Sequence, residues 1–385
     1  MIDIVFCGVN DWRNIKQRPQ HLAERLSATH RVLYVNPIAY SVPTHIVRRL
    51  RRTTDRRWGP TLEQLAAQLW LFTPSPALPL SRRLRPLNRL NQAWLAFQLR
   101  PVLRQLGMSS PLLWLAFPTD VDLIGRLHER YIIFDCMDNY PGFFKGCEHK
   151  VIAAMEIDLL RRADLVFATA QPLWEKCHHL NANVHLLPNG VDVAHFARVR
   201  TGLAEADDLR PYPHPRFGYI GTVGPWTDVD SMVALAQAAP YGSVIVIGPW
   251  ETPPPAGAPD NFHILGPRPY ADLPAYLAGF DVALIPFRVG MLTQAVNPVK
   301  LFEYGAAGVP IVATATQELV RYAGWCALTD SSEAFVSWAI TIAHDRCHPE
   351  VVARCQTAAA EAQANDWDSR IRHIQSLLER LTGEK

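Results

Sequence analysis

Asn297-Pro298-Val299-Lys300-Leu301-Phe302-Glu303-Tyr304-Gly305-Ala306-Ala307-Gly308-Val309-Pro310-Ile311-Val312-Ala313-Thr314 reads as a short helix that runs into a buried strand. Asn297 is placed to cap the helix, Pro298 suits its first turn, and Gly308 closes it before the β-branched run from Val309 to Thr314. Lys300 and Glu303 then share one helix face near the N-terminus. Such a terminus presents unpaired N–H groups and partial positive charge, which suit a phosphate. A lysine there adds charge, and a carboxylate one turn on can accept hydrogen bonds from a ribose. The spacing fits a nucleotide-sugar site. It fits also an ordinary i,i+3 ion pair on a solvated face, the commoner case for an isolated Lys/Glu pair, and the residues alone leave both readings open.

Outward from this block the chain alternates. Apolar runs at 2–8, 32–35, 112–116, 131–134, 165–168 and 184–190 are separated by helical stretches, the first from about Pro19 to Leu26. A second series follows at 217–221, 243–248, 263–266, 282–286 and 310–314. That alternation predicts parallel sheets wrapped by helices. Pro211-Tyr212-Pro213-His214-Pro215 separates the series and reads as a hinge. The expected organisation is α/β with two Rossmann-like domains, residues 1–205 and 206–365, and a last helix from about Trp367. A chain of 385 residues gives each domain room for a core.

The net charge of +2 conceals a division: residues 1–200 hold 26 Lys/Arg against 16 Asp/Glu, and residues 201–385 hold 12 against 20, giving about +10 and −8. The excess concentrates in Arg48, Arg49, Arg51, Arg52, Arg56 and Arg57, then in Arg82, Arg83, Arg85, Arg89, Arg100 and Arg104. Leu84, Leu87, Leu90, Trp94, Leu95, Phe97 and Leu99 lie among the second group, the makings of basic amphipathic helices. Such helices can rest on an anionic membrane surface, or pack their apolar side inward and solvate the arginines. No recognition motif for nucleic acid accompanies the charge. No run of about 18 apolar residues is present, and the acid at Asp3 does not fit a signal peptide, so a cytoplasmic protein is expected, in peripheral contact with the membrane's inner face at most. Seven cysteines without paired spacing fit reduced thiols. No C-x-x-C pair supports zinc at Cys136, Cys147, His149, Cys177, His178 and His179. A dinucleotide-dependent oxidoreductase is disfavoured, because Gly8-Val9-Asn10-Asp11-Trp12-Arg13 after the first strand is no G-x-G-x-x-G.

The helix block resembles the C-terminal signature of GT-B glycosyltransferases. Three further blocks match that pattern in order: Leu187-Pro188-Asn189-Gly190-Val191-Asp192 with Phe196, Phe217-Gly218-Tyr219-Ile220-Gly221-Thr222, and Phe280-Asp281-Val282-Ala283-Leu284-Ile285-Pro286-Phe287. Trp12 and Arg18-Pro19-Gln20-His21-Leu22 further resemble the teichuronic acid and exopolysaccharide branch. The resemblance implies two domains facing across a cleft, with residues 366–385 returning to the first. It implies sugar transfer from a nucleotide donor, UDP-linked in the first instance, to a lipid-linked or polysaccharide acceptor in cell-surface glycan synthesis, with no cofactor and no metal. On that basis Lys300 is the phosphate partner, Glu303 the ribose partner, and Asn297, Val299, Gly221 and Thr222 complete the phosphate end. Arg268 and Tyr270 lie beside the expected base, and Arg288 is a further donor contact.

Two departures stand out. Many retaining members carry a second glutamate eight residues before the first, where this chain has Ala295, and an Arg and a Lys after the first strand of the donor domain, where it has Thr222 and Trp226-Thr227-Asp228. They favour an inverting reaction with an aspartate base. Phe134-Asp135-Cys136-Met137-Asp138 puts two acids beyond a buried strand, Asp138 preferred over Asp135, while Arg18, His21 and Asp120 are placed toward the acceptor. The rival readings are a retaining transferase, a sugar-nucleotide epimerase on the same fold, and a scaffold protein with a decayed donor site.

Overall fold

The computed structural model describes residues 1–39 and 59–383. They form two units, Met1–Leu187 with Ile371–Lys385, and Pro188–Arg370. Residues 188–205, read with the first half in sequence, group with the second unit. The Pro211–Pro215 run lies inside that unit, directly before a strand, and not at the division.

The first unit is built on eight strands: β1 Asp3–Cys7, β2 Arg31–Val35, β3 Thr61–Ala66, β4 Leu69–Thr73, β5 Leu112–Leu115, β6 Tyr131–Cys136, β7 Leu165–Ala168 and β8 Val184–Leu186. Their order is β3-β4-β2-β1-β5-β6-β7-β8. All neighbours pair parallel except the β3–β4 hairpin. The strands read as unbroken apolar runs because helices cover both faces of a parallel sheet. Phe6 stacks on Tyr34 and Trp114, and Trp114 on Phe167, at centroid distances of 5.1–5.6 Å. Order reverses between β1 and β5, so connections leave in opposite directions there and open a crevice at the strands' C-terminal ends.

The second unit holds β9 Arg216–Ile220, β10 Ser243–Ile247, β11 Phe262–Ile264, β12 Val282–Ile285, β13 Ile311–Thr314 and β14 Ala327–Thr329. They form a wholly parallel sheet of order β11-β10-β9-β12-β13-β14, the doubly wound arrangement, with its reversal between β9 and β12. One apolar cluster, including Ile245, Ile285, Leu301 and Phe302, covers one face, and another, including Phe217, Val244, Leu284 and Phe335, covers the other. The last helix, Trp367–Thr382, begins in this unit, and its residues from Ile371 group with the first.

Sequence reading passed over β3, β4 and β14. The β3 sequence TLEQLA is mostly exposed and has no apolar face to betray it. The arginine cluster Arg48 to Arg57 lies outside the described residues.

Candidate functional site

In the second unit the reversal point is occupied by the turn after β9 and by the helix Val299–Ala307, which follows β12. The helix ends as its sequence requires: Gly308 takes φ 74°, and the amides of Gly308 and Val309 return to the carbonyls of Gly305 and Tyr304. Tyr304 is fully buried and its hydroxyl accepts the Ile220 N–H at 2.9 Å, fixing the helix to the end of β9.

Lys300 bends over that strand end. Its Nζ stands 4.0 Å above the Tyr219 ring and 5.9 Å from the Phe287 ring, seated by cation–π attraction. It presses against Gly221, whose φ is +148° and where a Cβ would lie 2.6 Å from Nζ. Tyr219 in turn donates its hydroxyl to the Thr222 carbonyl at 2.8 Å, holding the turn beneath the ammonium. Glu303, 9 % exposed, sits one turn along the helix. Burial pushes its carboxyl up to about 7, and nearby Lys300 pulls it back part of the way. Among the described residues neither side chain makes an ion pair or a hydrogen bond, so the ordinary i,i+3 pair is not formed. A cation and an acid are thus held at a helix N-terminus beside a glycine turn.

The sequence expectation for Asn297 needs correction, and Arg268 and Tyr270 are found engaged within the unit. Asn297 does not cap the helix; extended Pro298 precedes Val299, the partly buried first helical residue. Asn297 instead accepts the Asn189 N–H at 2.9 Å, donates to Glu318 at 2.9 Å and to the Tyr322 hydroxyl at 3.1 Å, and its carbonyl accepts from Asn189 Nδ2 at 2.6 Å. It clamps the Pro188-Asn189-Gly190 loop to the helix start and is spent on that work. Arg268 is committed to Asp208 at 2.9 Å, the Tyr276 hydroxyl at 2.6 Å and the Leu265 carbonyl at 2.6 Å. Tyr270 stacks on His195 at 5.0 Å and meets the Phe196 edge at 5.7 Å, so one ring face is used within the core. Arg288 pairs with exposed Asp230 at 2.7 Å and is itself half exposed. Sequence reading missed Tyr219; a tyrosine in an apolar strand carries no mark of the lysine it will seat.

In the first unit, Asp135 and Arg18 find each other across 117 residues. The guanidinium donates to both carboxylate oxygens at 2.9–3.1 Å and to the Leu187 carbonyl at 3.1 Å, with both side chains at most 2 % exposed. Neither is available as base or acceptor contact, because breaking so buried a pair would strand a charge. His21 is 1 % exposed beside Arg25 at 3.3 Å, and burial removes it from an acceptor role as well.

Asp138 and Asp120 are different. Asp138 lies two residues beyond β6, partly buried, and its carboxylate makes no hydrogen bond among the described residues. Burial lifts it to about 7. Asp120 sits in the first turn of the short helix Pro118–Leu123 after β5 and does not cap it. It too is lifted to about 7 by burial, with hydrogen bonds from Phe117 and Gln92 opposing. Its charge is felt by Cys7 at the end of β1, which places Asp120 at the reversal point of the first sheet.

Residues 215–345, which include β9 to β14 and the Lys300 helix, match the family model for glycosyl transferases group 1. The folded chain superposes on sucrose-phosphate synthase of Thermosynechococcus elongatus with a TM-score of 0.72 at 13 % identity, covering all of both chains. It superposes on α,α-trehalose 6-phosphate synthase of Burkholderia multivorans with a TM-score of 0.71 at 12 % identity, covering 100 % of this chain and 99 % of that one. The fold is that of the GT-B glycosyltransferases, and the family match falls on its second unit. In sequence the chain is 25 % identical over 325 residues, 78 % of this chain and 77 % of the relative, to TuaH of Bacillus subtilis (strain 168), assigned to teichuronic acid biosynthesis as a glycosyltransferase. HepE of Anabaena, solved with UDP-glucose, superposes with a TM-score of 0.68 at 16 % identity over 99 % of this chain and all of that one.

Proposed function

We propose that the protein transfers a sugar from a nucleoside diphosphate donor, a UDP-sugar in the first instance, to a hydroxyl of a lipid-linked or polysaccharide acceptor in cell-surface glycan synthesis. The observation that carries this reading is Lys300: an ammonium held on an aromatic seat at a helix N-terminus, within ion-pair reach of no carboxylate among the described residues. A diphosphate supplies the missing anion, and the helix amides and the Gly221-Thr222 turn add donors to it. Glu303, ionised, accepts from the ribose hydroxyls. HepE, solved with UDP and with UDP-glucose, supports the choice of donor, and the teichuronic acid assignment of TuaH supports the acceptor class.

In the inverting form of the reaction the acceptor oxygen attacks the anomeric carbon while its proton passes to Asp138. The bond from that carbon to the diphosphate oxygen breaks, and the electron pair leaves with the nucleotide, whose charge Lys300 and the amides neutralise without a metal. A carboxyl near 7 suits a base working at neutral pH. Asp120 is a second reading for the base, favoured by its place at the reversal point of the first sheet.

Calorimetric titration with UDP tests the donor half. Lys300→Ala is expected to weaken binding by roughly tenfold to a hundredfold, the scale of one lost charge-assisted contact. Undiminished binding would exclude the site. Asp138→Asn is expected to abolish transfer while leaving UDP affinity intact. Activity that survives this change and falls with Asp120→Asn would move the base to Asp120. The product anomer, read by NMR, decides between inversion and retention.

A further inference from the structure

The long helix Arg85–Leu106 of the first unit is apolar on two sides. Leu95, Leu99 and Leu103 are at most 4 % exposed and pack inward. Leu90, Trp94 and Phe97, at i, i+4 and i+7, point to water, with exposures of 59, 45 and 65 %. Trp94 and Phe97 stack on each other at 5.6 Å and, among the described residues, on no other ring. Leu84, just before the helix, extends the stripe at 52 % exposure.

The inward face, by contrast, carries the amides. Asn91 exchanges two hydrogen bonds with the Leu78 backbone at 3.0 and 2.8 Å, and Gln98 accepts from the Ser75 N–H at 2.9 Å. Asn88 donates to the Thr119 carbonyl and to Asp122, both at 2.8 Å. These contacts fix the helix to its unit by polar groups and leave three large apolar side chains unused by the fold. The exposed stripe is flanked by Arg100 and Arg104, which pair with no carboxylate among the described residues, whereas Arg83, Arg85 and Arg89 of the same stretch are paired with Glu148, Asp122 and Asp158.

We infer that this face docks on an anionic phospholipid bilayer. Leu90, Trp94 and Phe97 enter the headgroup and acyl boundary, and the arginines engage the lipid phosphates. A protein partner buried here would have to bring acids to Arg100 and Arg104 at fixed positions, whereas a bilayer offers phosphates at any register. Docking also has a consequence for the acceptor side: Asn88 and Gln92 hold the Pro118–Leu123 segment and Asp120 on the opposite side of the same helix, within about one helix diameter of the lipid, roughly 10 Å. The inference rests on the first unit alone, so it stands or falls separately from the donor reading.

Co-sedimentation of the intact protein with vesicles, without nucleotide, tests it. Binding is expected to phosphatidylcholine vesicles containing phosphatidylglycerol, weakening steeply with salt, and at least tenfold less to phosphatidylcholine alone. Trp94→Ser with Phe97→Ser is expected to weaken binding roughly tenfold or more, and Leu90→Ser, outside the aromatic stack, to weaken it in the same direction. Arg100→Gln with Arg104→Gln is expected to weaken it about tenfold and to flatten the salt dependence. Absence of binding to the anionic vesicles, or binding unchanged in folded variants, overturns the inference. So does a dimer on a sizing column that Trp94→Ser with Phe97→Ser converts to monomer, because the stripe would then be covered by a second copy.

Discussion

Glu303 keeps its proton at a pH where an exposed glutamate has lost it, because burial penalises the carboxylate and Lys300 compensates only in part. If the ribose hydroxyls bind the ionised form, donor affinity must rise with pH through about 7 and level off above it. The sign follows from the group: raising pH ionises Glu303 in the free protein, which is the state the diol needs. Titrating UDP from about pH 6 to about pH 8 is expected to show a roughly tenfold gain in affinity. UDP ionises over part of the same range, so the decisive comparison is Glu303→Gln, which is expected to bind more weakly at high pH and to lose that gain. A wild-type profile no steeper than the variant's would remove Glu303 from the ribose. That Lys300 and Glu303 share the start of a helix was legible from their spacing, although that spacing alone also fitted an ion pair, and Gly221 was singled out only through the resemblance. The roles of Asn297, Arg268 and Arg18 were not legible, since their partners Asn189, Asp208 and Asp135 are 108, 60 and 117 residues away, and only the fold brings them into contact.

At the scale of elements, most of the strands could be read because parallel strands buried on both faces leave continuous apolar runs, and the helix Val299–Ala307 because its C-terminal glycine is sequence-local. The orientation of the helix Arg85–Leu106 could not be read. Its apolar residues fall on two sides, and only the loops that its amides hold show which side faces in. The turn after β9 joins the two kinds of information. Gly221 has φ +148°, where a Cβ is strained by about 1–3 kcal/mol, and that Cβ would also stand 2.6 Å from Lys300 Nζ. The ammonium ends a flexible chain, so it would move aside and leave its seat over Tyr219. Gly221→Ala is therefore expected to lower the melting temperature by a few degrees and to weaken UDP binding roughly tenfold. Full UDP affinity in a folded Gly221→Ala protein would show that the position of the ammonium over Tyr219 is immaterial to the donor.

For the whole molecule, Asp120, Asp138 and Glu303 form a set: three carboxyls, each lifted to about 7 by burial, spread over both units. A carboxyl whose folded value lies above its unfolded value of about 4 binds more protons in the folded state between those limits. Its contribution to stability therefore falls as pH rises from about 4 to about 7, and the penalty is complete above 7. Removing one such charge should stabilise the protein, and only at high pH. Asp138→Asn is the clean case, because among the described residues its carboxylate makes no hydrogen bond whose loss would confuse the comparison. Asp138 is partly open to solvent, which reduces the full linkage value to a gain of about 1–2 kcal/mol at about pH 8, seen as a melting temperature several degrees above wild type. Near pH 5 the two proteins should melt together, since wild-type Asp138 then carries its proton. A variant that is inactive in transfer and stabilised only above neutral pH would be one whose lost group was held in an unfavourable ionisation for the sake of the reaction. Equal melting at both pH values would mean that Asp138 titrates as an ordinary surface acid, and the base would have to be sought at Asp120.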